Sequence, residues 1–399
     1  MNGGVEYKLW LDGKPVDEQF YTMIGTITVD QGIDLATEAR VELEMCMDDH
    51  GRWSGPNAKY AQTWKRLRIE VRSHTPSWVP LIDGPIVAWD ADVSGEPGTS
   101  MMTLVAHDDT TLLNVEARYE KFEGKTDEQL VRDLLLRARA AIDTLDIDPF
   151  PEQPKDRPLK HIKRGTEMEM LRSIADPYDM HVYVVPGDTI GRSVACVKRL
   201  STDPSGLPVL LLAGTDRNVE GFGARNDVAQ AMRYQGLQLD VDNVAQGKAL
   251  RSKWTADDVG PVHGNQGQAP EPTPVDPPVD LLGKLTAIDS LDSLGIALLP
   301  PNVAAFRNVE VLVSRWQQRS SYTITAQGSV RYGCYNGVLR AYDVVGVSGV
   351  PERLCTNFVV REVTHTLARS EYRQDFALMT NATAQVAQQG GGFVPSGVF

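Results

Sequence analysis

The sequence contains little cysteine. Its 399 residues include four cysteines, Cys46, Cys196, Cys334 and Cys355, which lie far apart and form no CxxC pair. A zinc knuckle or a disulfide framework needs closely spaced or paired cysteines, so neither is predicted. The cysteine content favours a reducing compartment.

Long apolar runs are also missing. The run from Val209 to Ala213 is far shorter than a membrane-spanning helix, and the stretch from Met1 to Glu6 lacks the basic and apolar residues of a signal peptide. The sequence therefore predicts no membrane span. It predicts synthesis in the cytoplasm, with export only as part of a larger particle.

Positive charge is in deficit. Lys and Arg number 40 against 53 Asp and Glu, which gives a net charge of −13. Affinity for duplex nucleic acid comes mostly from Lys and Arg that replace counterions on phosphates. This balance excludes a protein whose main task is to grip DNA, and we predict no specific nucleic-acid binding. Passive passage of nucleic acid stays compatible with the net negative charge.

The common catalytic and nucleotide-binding motifs are absent. The sequence has no GxxxxGK[ST], no strand-linked GxGxxG, no HExxH and no GxSxG. The remaining candidates are Asp48-Asp49-His50, His107-Asp108-Asp109, His181, His365, the calcium-loop-like Asp240-Val241-Asp242-Asn243 and Gly221-Phe222-Gly223. Turns, a helix cap at Asp108 or Asp109, hydrogen-bonded core histidines and a strand connection explain them better. We predict no catalytic residue, cofactor or metal.

What the sequence does have is strand periodicity. Apolar side chains alternate with charged ones in residues 40–45 and 66–72, which places three apolar side chains of each segment on one face. Their burial contributes roughly 1.5–3 kcal/mol apiece. Further strands are predicted at residues 23–29, 81–89 and 101–106. Residues 1–107 therefore read as a closed or nearly closed antiparallel β unit.

Helical spacing replaces strand spacing in the middle of the chain. Thr126 with Gln129, and Thr166 with Glu169, fit capping boxes in front of apolar stripes. Residues 181–185 then form a predicted buried strand. Residues 108–205 are therefore predicted to form a small α+β domain.

Alternation returns in residues 206–399, after an interruption. Segments 309–311, 321–326, 358–363 and 372–378 are predicted strands of a second β unit. Residues 236–284 are polar and turn-rich, and five prolines lie within residues 270–278. Such a composition cannot offset the entropy of ordering by apolar burial, so this segment is predicted to be an exposed linker or insertion.

Several stretches carry a family resemblance in their order and spacing. They are the segments 11–16 and 20–30, Leu81-Ile82-Asp83-Gly84-Pro85-Ile86, Ala106-His107-Asp108, the segments 122–127 and 169–175, and the pair of segments 360–367 and 372–378. Together they resemble the tail-hub family of contractile phage tails and related injection machines, which includes late control D proteins and the hub part of VgrG spikes. The resemblance covers about 300 residues.

The resemblance implies an α+β, mainly β fold with two tube-like antiparallel β-barrel domains, the small α+β domain between them and the proline-rich insertion. It implies a non-enzymatic homotrimeric ring in the virion baseplate that adapts a sixfold tail tube to a threefold spike, because three copies of a duplicated module imitate a hexagon. The implied partners are tail tube protein, a separate spike protein and baseplate wedge proteins. We also expect part of the negative charge to line the central channel.

On this basis charged strand residues are candidate contacts with another subunit or with the tube. They are Arg66, Arg68, Glu70 and Arg72 in the first β unit and Glu310, Arg361, Glu362 and Arg373 in the second. We expect them to point outward.

Two alternatives stay open. The first is the hub of an extracellular contractile injection particle or of a secretion spike, which must also join a sixfold tube to a threefold spike. The second is a cell-wall hydrolase with paired carboxylates on loops, which needs two acids about 5 to 10 Å apart in a cleft.

Overall fold

The computed structural model describes most of the chain. The described residues are 6–47, 50, 53–54, 62–73, 77–96, 98–150, 160–239, 251–255, 285–286, 295–298, 309–331, 333–369 and 371–383. Most of the predicted insertion at 236–284 therefore lies outside them.

Strands dominate the described residues. In the first part of the chain they are β1 (Glu6–Leu11), β2 (Lys14–Pro15), β3 (Ile24–Gly32), β4 (Glu38–Glu44), β5 (Cys46–Met47), β6 (Trp53–Ser54), β7 (Arg66–Arg72), β8 (Val79–Asp92) and β9 (Met101–His107). In the middle they are β10 (Arg118–Glu123), β11 (Ile142–Ile147), β12 (Lys160–Gly165), β13 (His181–Pro186) and β14 (Ser193–Lys198). In the last part they are β15 (Leu210–Leu211), β16 (Val219–Asn226), β17 (Met232–Leu239), β18 (Arg251–Thr255), β19 (Leu285–Thr286), β20 (Gly295–Leu298), β21 (Ile324–Arg331), β22 (Val344–Ser348), β23 (Asn357–Ala368), β24 (Tyr372–Thr380) and β25 (Ala382–Thr383).

The α-helices of the described residues are short. They are α1 (Glu18–Met23), α2 (Asp127–Leu135), α3 (Glu167–Ala175) and α4 (Val309–Ser320). None of them is long and apolar enough to cross a membrane. The mainly β, α+β class predicted from the sequence is confirmed.

A large sheet of 13 strands organises the molecule. Its order is β16-β21-β24-β23-β3-β4-β9-β8-β7-β1-β2, with β22 and β15 as a branch from β23. Neighbouring strands along this path are antiparallel, and the predicted alternation of β4 is present because every second residue of Glu38–Glu44 is buried.

The two predicted β units are joined in this sheet. β3 pairs with β23 from Gly32 opposite Glu362 to Thr26 opposite Ala368. The sequence favoured two separate tube-like barrels, but within the described residues the strands form one continuous sheet that does not close on itself. The difference arises because β3 uses its free edge to bind a strand from the other end of the chain.

Each half of the sheet nevertheless has its own apolar core. The first core contains Leu9, Ile69 and Leu104, and it also takes in Leu367 and Tyr372 from the C-terminal part. The second half buries a separate set around Phe358 and Phe376. The domain limits 1–107, 108–205 and 206–399 stay predictions. C-terminal residues contribute to the first core, so the cores do not follow the limits in sequence.

Helices α2 and α3 pack on a three-stranded sheet of order β11-β14-β13. Both predicted capping boxes are present. Thr126 Oγ1 accepts from the backbone N–H of Gln129 at 3.2 Å, and Thr166 Oγ1 accepts from that of Glu169 at 3.2 Å, with each partner side chain reaching back. These caps satisfy N–H groups of the first turn and fix where each helix starts.

One strand prediction was wrong. Residues 309–311 begin helix α4 rather than a strand, so Glu310 lies on a helix. The buried residues Leu312 and Val313 are followed by the half-buried Trp316, a helical spacing. Three alternating residues are too few to distinguish a strand from a helix.

Candidate functional site

Arg66 lies at the centre of a charged cluster between the large sheet and the α+β unit. Its Nη1 and Nη2 donate to both carboxylate oxygens of Asp109, at 2.8 and 2.6 Å. Its Nε donates to Asp83 Oδ1 at 2.7 Å. A bidentate guanidinium–carboxylate contact of this kind fixes both distance and orientation.

Arg68 extends the cluster into the interior. Its Nη1 donates to Asp83 Oδ2 at 3.0 Å and to the carbonyl of Gly187 at 2.8 Å, while its Nε donates to Glu70 Oε1 at 2.7 Å. The prediction that Arg68 points outward was wrong, because the residue is 3% exposed. Alternation correctly separates it from the core face of β7, but the α+β unit covers the other face.

The α+β unit closes the cluster from its own side. The backbone N–H of Gly191 donates to Asp83 Oδ2 at 2.8 Å, and Ser193 Oγ donates to Asp109 Oδ2 at 2.6 Å. Asp83 and Ser193 were missed by sequence reasoning. An acid inside the apolar strand segment Leu81-Ile82-Asp83 was the available signal, since a buried carboxylate requires partners.

The next residue, Gly84, explains how close the sheet and the following segment lie. A Cβ at this position would be 1.9 Å from the carbonyl oxygen of His107. Only glycine permits this approach, which brings Asp108 and Asp109 next to the cluster.

Four other predicted contact residues, Arg72, Arg361, Glu362 and Arg373, lie nearer the surface and have partners within the chain. Arg72 pairs with Glu6 and lies 5.0 Å from the ring of Trp78. Arg361 pairs with Glu362 at 2.7 Å, and Arg373 pairs with Asp375 at 2.7 Å. Contact of Arg66, Glu70, Arg72, Arg361, Glu362 or Arg373 with another subunit stays a prediction.

Helix-cap and core roles account for several of the candidate polar residues. Asp108 caps the 3-10 helix Asp109–Leu113, accepting from Thr110 N at 3.0 Å, and it also accepts from Thr37 N at 2.7 Å. Burial raises the pKa of Asp108. His365 is fully buried with Nδ1 2.9 Å from the hydroxyl of Tyr372, and burial lowers its pKa to about 3.

The remaining candidates form no site. Gly221 and Gly223 lie within strand β16, paired with β21. Asp48, Asp49 and the Asp240–Asn243 run lie outside the described residues. In the described part of the chain no group of three or more His, Cys, Asp or Glu side chains is placed to hold a metal ion.

His181 belongs to a second polar cluster, at a cavity of about 360 Å³ where helix α4 meets the α+β unit and a turn of the large sheet. Its Nδ1 lies 2.9 Å from Asp34 Oδ1. Arg319 of α4 pairs with Asp176. The carboxylate of Asp179 has no hydrogen-bond or ion-pair partner in the described residues, and burial raises its pKa to about 6.

The solvent-facing side of the large sheet is rich in carboxylates. One cross-strand row runs from Asp375 through Thr364, Asp30 and Glu38 to His107. Glu42 and Glu44 follow on the same face of β4 and are exposed. The acids missed at Asp30 and Glu38 were visible as polar positions of alternating strands.

Comparison with solved structures finds this fold elsewhere. The 43 kDa tail protein of prophage MuSo2 from Shewanella oneidensis matches with a TM-score of 0.62 and 13% identity, over 95% of this chain and 99% of that one. The architecture matches that of phage tail proteins along nearly the whole chain. No family model matches the sequence, and no curated protein does.

Two further matches extend this likeness. The tail protein from Neisseria meningitidis MC58 matches with a TM-score of 0.59 and 12% identity, over 95% and 97% of the two chains. An E. coli component of the type VI secretion system, described as structurally similar to the T4 tail proteins gp27 and gp5, matches with a TM-score of 0.53 and 10% identity, over 95% of this chain and 79% of that one. Because the identities are this low, these structural matches establish a shared fold alone.

Proposed function

We propose that the chain is a non-enzymatic structural hub of a contractile phage tail. The observation that carries this proposal is the tail-protein fold, which matches over 95% of this chain and 99% of the prophage protein. Because both chains are covered almost completely, the likeness extends beyond a single shared module.

The hub is proposed to be a ring of three copies in which the two halves of the large sheet act as the tube-like modules. Each half has its own core, and the halves meet at the β3–β23 pair. Three copies of such a double module present six similar units to a sixfold tube and three to a threefold spike.

The ends of the sheet support association into a ring. At one end β16 pairs with β21 on one side, and its other edge has no partner strand among the described residues. At the opposite end β1 pairs with β7 and, over two residues, with β2. The outer edge of β1 is partly occupied, because Leu9 N donates to the Tyr21 hydroxyl at 3.1 Å and Leu9 O accepts from Val16 N at 3.2 Å. The edge of β16 without a partner strand suits a head-to-tail contact with a different surface of the next copy, which closes into a ring.

The proposed partners are tail tube protein, spike protein and baseplate wedge proteins. The carboxylate-rich face of the sheet is proposed to line the channel, where like charge keeps DNA from adhering. A positive potential along the bore of the assembled ring would contradict this part of the proposal.

The native mass of the purified chain, alone and with its candidate spike, tests the ring. We expect a mass of three copies, and threefold class averages by electron microscopy with the spike bound. Exchanging the charges of the exposed Arg361–Glu362 pair keeps that pair intact and is expected to lower the trimer fraction. The matched exchange of the Glu128–Arg132 pair on α2 should leave it unchanged. A monomer under all conditions overturns the proposal.

A second candidate is the hub of a secretion spike or extracellular injection particle. The match to the type VI secretion component favours it. Capsid genes beside the coding gene would favour the phage tail. Sheath and effector genes beside it, without capsid genes, would favour the secretion machine. The hydrolase alternative is tested by zymography on cell-wall material, where clear lysis would contradict a structural role.

A further inference from the structure

Strands β10 and β12 form a two-stranded ribbon whose inner side is fixed by buried charges. Lys163 is fully buried, and its Nζ donates to Glu167 Oε1 at 2.6 Å. Arg137 donates to both oxygens of Glu120 at 2.7 and 2.6 Å and to Glu167 Oε1 at 2.9 Å. Two cations and two carboxylates thus hold the ribbon rigidly against the α+β unit.

The outer side of the ribbon exposes apolar surface. Tyr119 is 65% exposed and Ile162 is 54% exposed. The guanidinium of Arg164 lies 5.7 Å from the centre of the Tyr119 ring and has no ion-pair partner among the described residues. A rigid element that holds two large apolar side chains and an unpaired cation in solvent has the composition of a binding surface.

A groove runs beside this surface, between β12 and α3. It has a volume of about 390 Å³ and is lined by Ile162, Arg164, Glu169, Met170 and Ser173. Glu169 is already engaged, because its Oε2 accepts from the backbone N–H of Thr166 at 2.9 Å. Arg164 is therefore the charged side chain of the lining that has no hydrogen-bond or ion-pair partner among the described residues, beside the carboxylate of Glu169.

The backbone of β12 is also available. β12 pairs with β10 along one edge, and no strand of the described part of the chain pairs with its other edge. A strand edge beside a helix can accept an extended peptide as an added strand, with main-chain hydrogen bonds for affinity and side-chain pockets for specificity. The groove thus combines an unpaired edge, an apolar floor and one cation.

We propose that this groove docks an extended segment of another protein, added as a strand to β12, which carries a carboxylate and an apolar side chain two positions apart. Ile162 and Arg164 are two residues apart on one face, and the same period in the partner places an apolar group on Ile162 and Met170 and a carboxylate on Arg164. Charge favours such a partner, since Arg164 is exposed in the groove lining without an ion-pair partner among the described residues, whereas the buried Lys163 of the same strand is already paired with Glu167.

Fluorescence polarisation with a defined peptide tests the proposal on the full chain. The probe is a labelled peptide in which threonine alternates with valine and aspartate. We expect saturable binding that is weakened about tenfold or more by Arg164→Glu and by Ile162→Asp. A probe with lysine in place of aspartate should regain binding to the Arg164→Glu protein. Arg132→Glu, at an exposed arginine of α2 outside the groove lining, is the matched control and should bind like wild type.

Backbone N-methylation of the probe at alternate positions should abolish binding, because an added strand needs its N–H groups. Thermal unfolding midpoints of the variants should equal that of wild type, since Arg164 and Ile162 are exposed. The proposal is overturned by absence of saturable binding, by equal binding to the Arg164→Glu and Arg132→Glu proteins, or by indifference to N-methylation. It is also overturned if the groove variants instead abolish self-association or binding of a labelled single-stranded oligonucleotide.

Discussion

Arg68 and Asp83 form a buried ion pair, with Arg68 Nη1 3.0 Å from Asp83 Oδ2 and both side chains at most 3% exposed. The pair lies where strand β7 meets the α+β unit, and Gly187 and Gly191 complete its hydrogen bonds from the other side. The attachment of the α+β unit to the sheet therefore depends on charges that water does not reach.

Removing one partner of this pair should be strongly destabilising. We expect Arg68→Met to lower the free energy of unfolding by about 3–5 kcal/mol, because Asp83 and Glu70 lose a cation while Asp83 stays buried. The matched change Arg72→Met, on the same strand but at the surface, should cost less than about 1 kcal/mol. Urea unfolding measures both, and equal losses would contradict the buried network.

Asp179 should be a site where loss of charge stabilises the fold. Burial raises the pKa of its carboxyl to about 6, above the ordinary value of 3.8, and His181, Arg315, Arg319 and Asp176 are the charged groups around it. We expect Asp179→Asn to add about 2 kcal/mol at pH 7. Asn also tolerates the positive φ of 54° at this position.

The raised pKa of Asp179 also predicts how the stability gain of Asp179→Asn changes with pH. The folded protein binds more protons at Asp179 than the unfolded chain between about pH 4 and pH 6, so the advantage of Asn should vanish as the pH falls below about 4. Asp176→Asn, on the same turn but exposed and paired with Arg319, is the control and should not stabilise. An advantage for Asp179→Asn that persists at pH 3 would contradict the assignment.

His365 should make the protein sensitive to acid. Burial lowers the pKa of its imidazole to about 3, so between about pH 6.5 and pH 3 the unfolded chain binds a proton that the folded protein does not. Stability is then lost as the pH falls, by up to about 1.4 kcal/mol per pH unit. His365→Gln should remove this part of the slope in unfolding titrations, and a slope that persists in the variant would contradict the assignment.

Gly84 should tolerate no side chain. A methyl group there would meet the carbonyl of His107 at 1.9 Å, and backbone cannot move aside without separating β8 from the segment that carries Asp109. We expect Gly84→Ala to cost about 3 kcal/mol. Gly95→Ala, in an exposed turn with no atom within 4 Å of the added carbon, is the control. Similar unfolding midpoints for the two variants would show that the approach is not required.

Local signals predicted much of the local structure. Alternation located β4 and β9, and the Thr126 and Thr166 capping boxes located α2 and α3. Both signals depend only on residues that are close in sequence. The pairing of β3 with β23 has no such signal. It depends on which edges remain available after each half has folded, and no residue of β3 specifies a partner so far along the chain.

Arg66 and Arg68 of the charged cluster were predicted as candidate residues, but Asp83, Ser193 and the covering of the cluster by the α+β unit were not. Periodicity shows that Arg66 and Arg68 leave the core face of β7, yet it does not show that the α+β unit covers the opposite face. Strand β12 was not predicted from the sequence, and neither was the burial of its Lys163 against Glu167 of α3. Sequence patterns assign a face, whereas burial depends on the neighbouring element.

The joint between β3 and β23 also governs when the protein can finish folding. Thr364 donates to Asp30 across 334 positions of sequence, so the centre of the sheet is completed only after β23 has been synthesised. Until then β3 presents a bare edge, and pairings this distant form slowly. Translation that stops before β23 yields a chain in which this edge of β3 is open, so synthesis through β23 is a condition for a finished subunit.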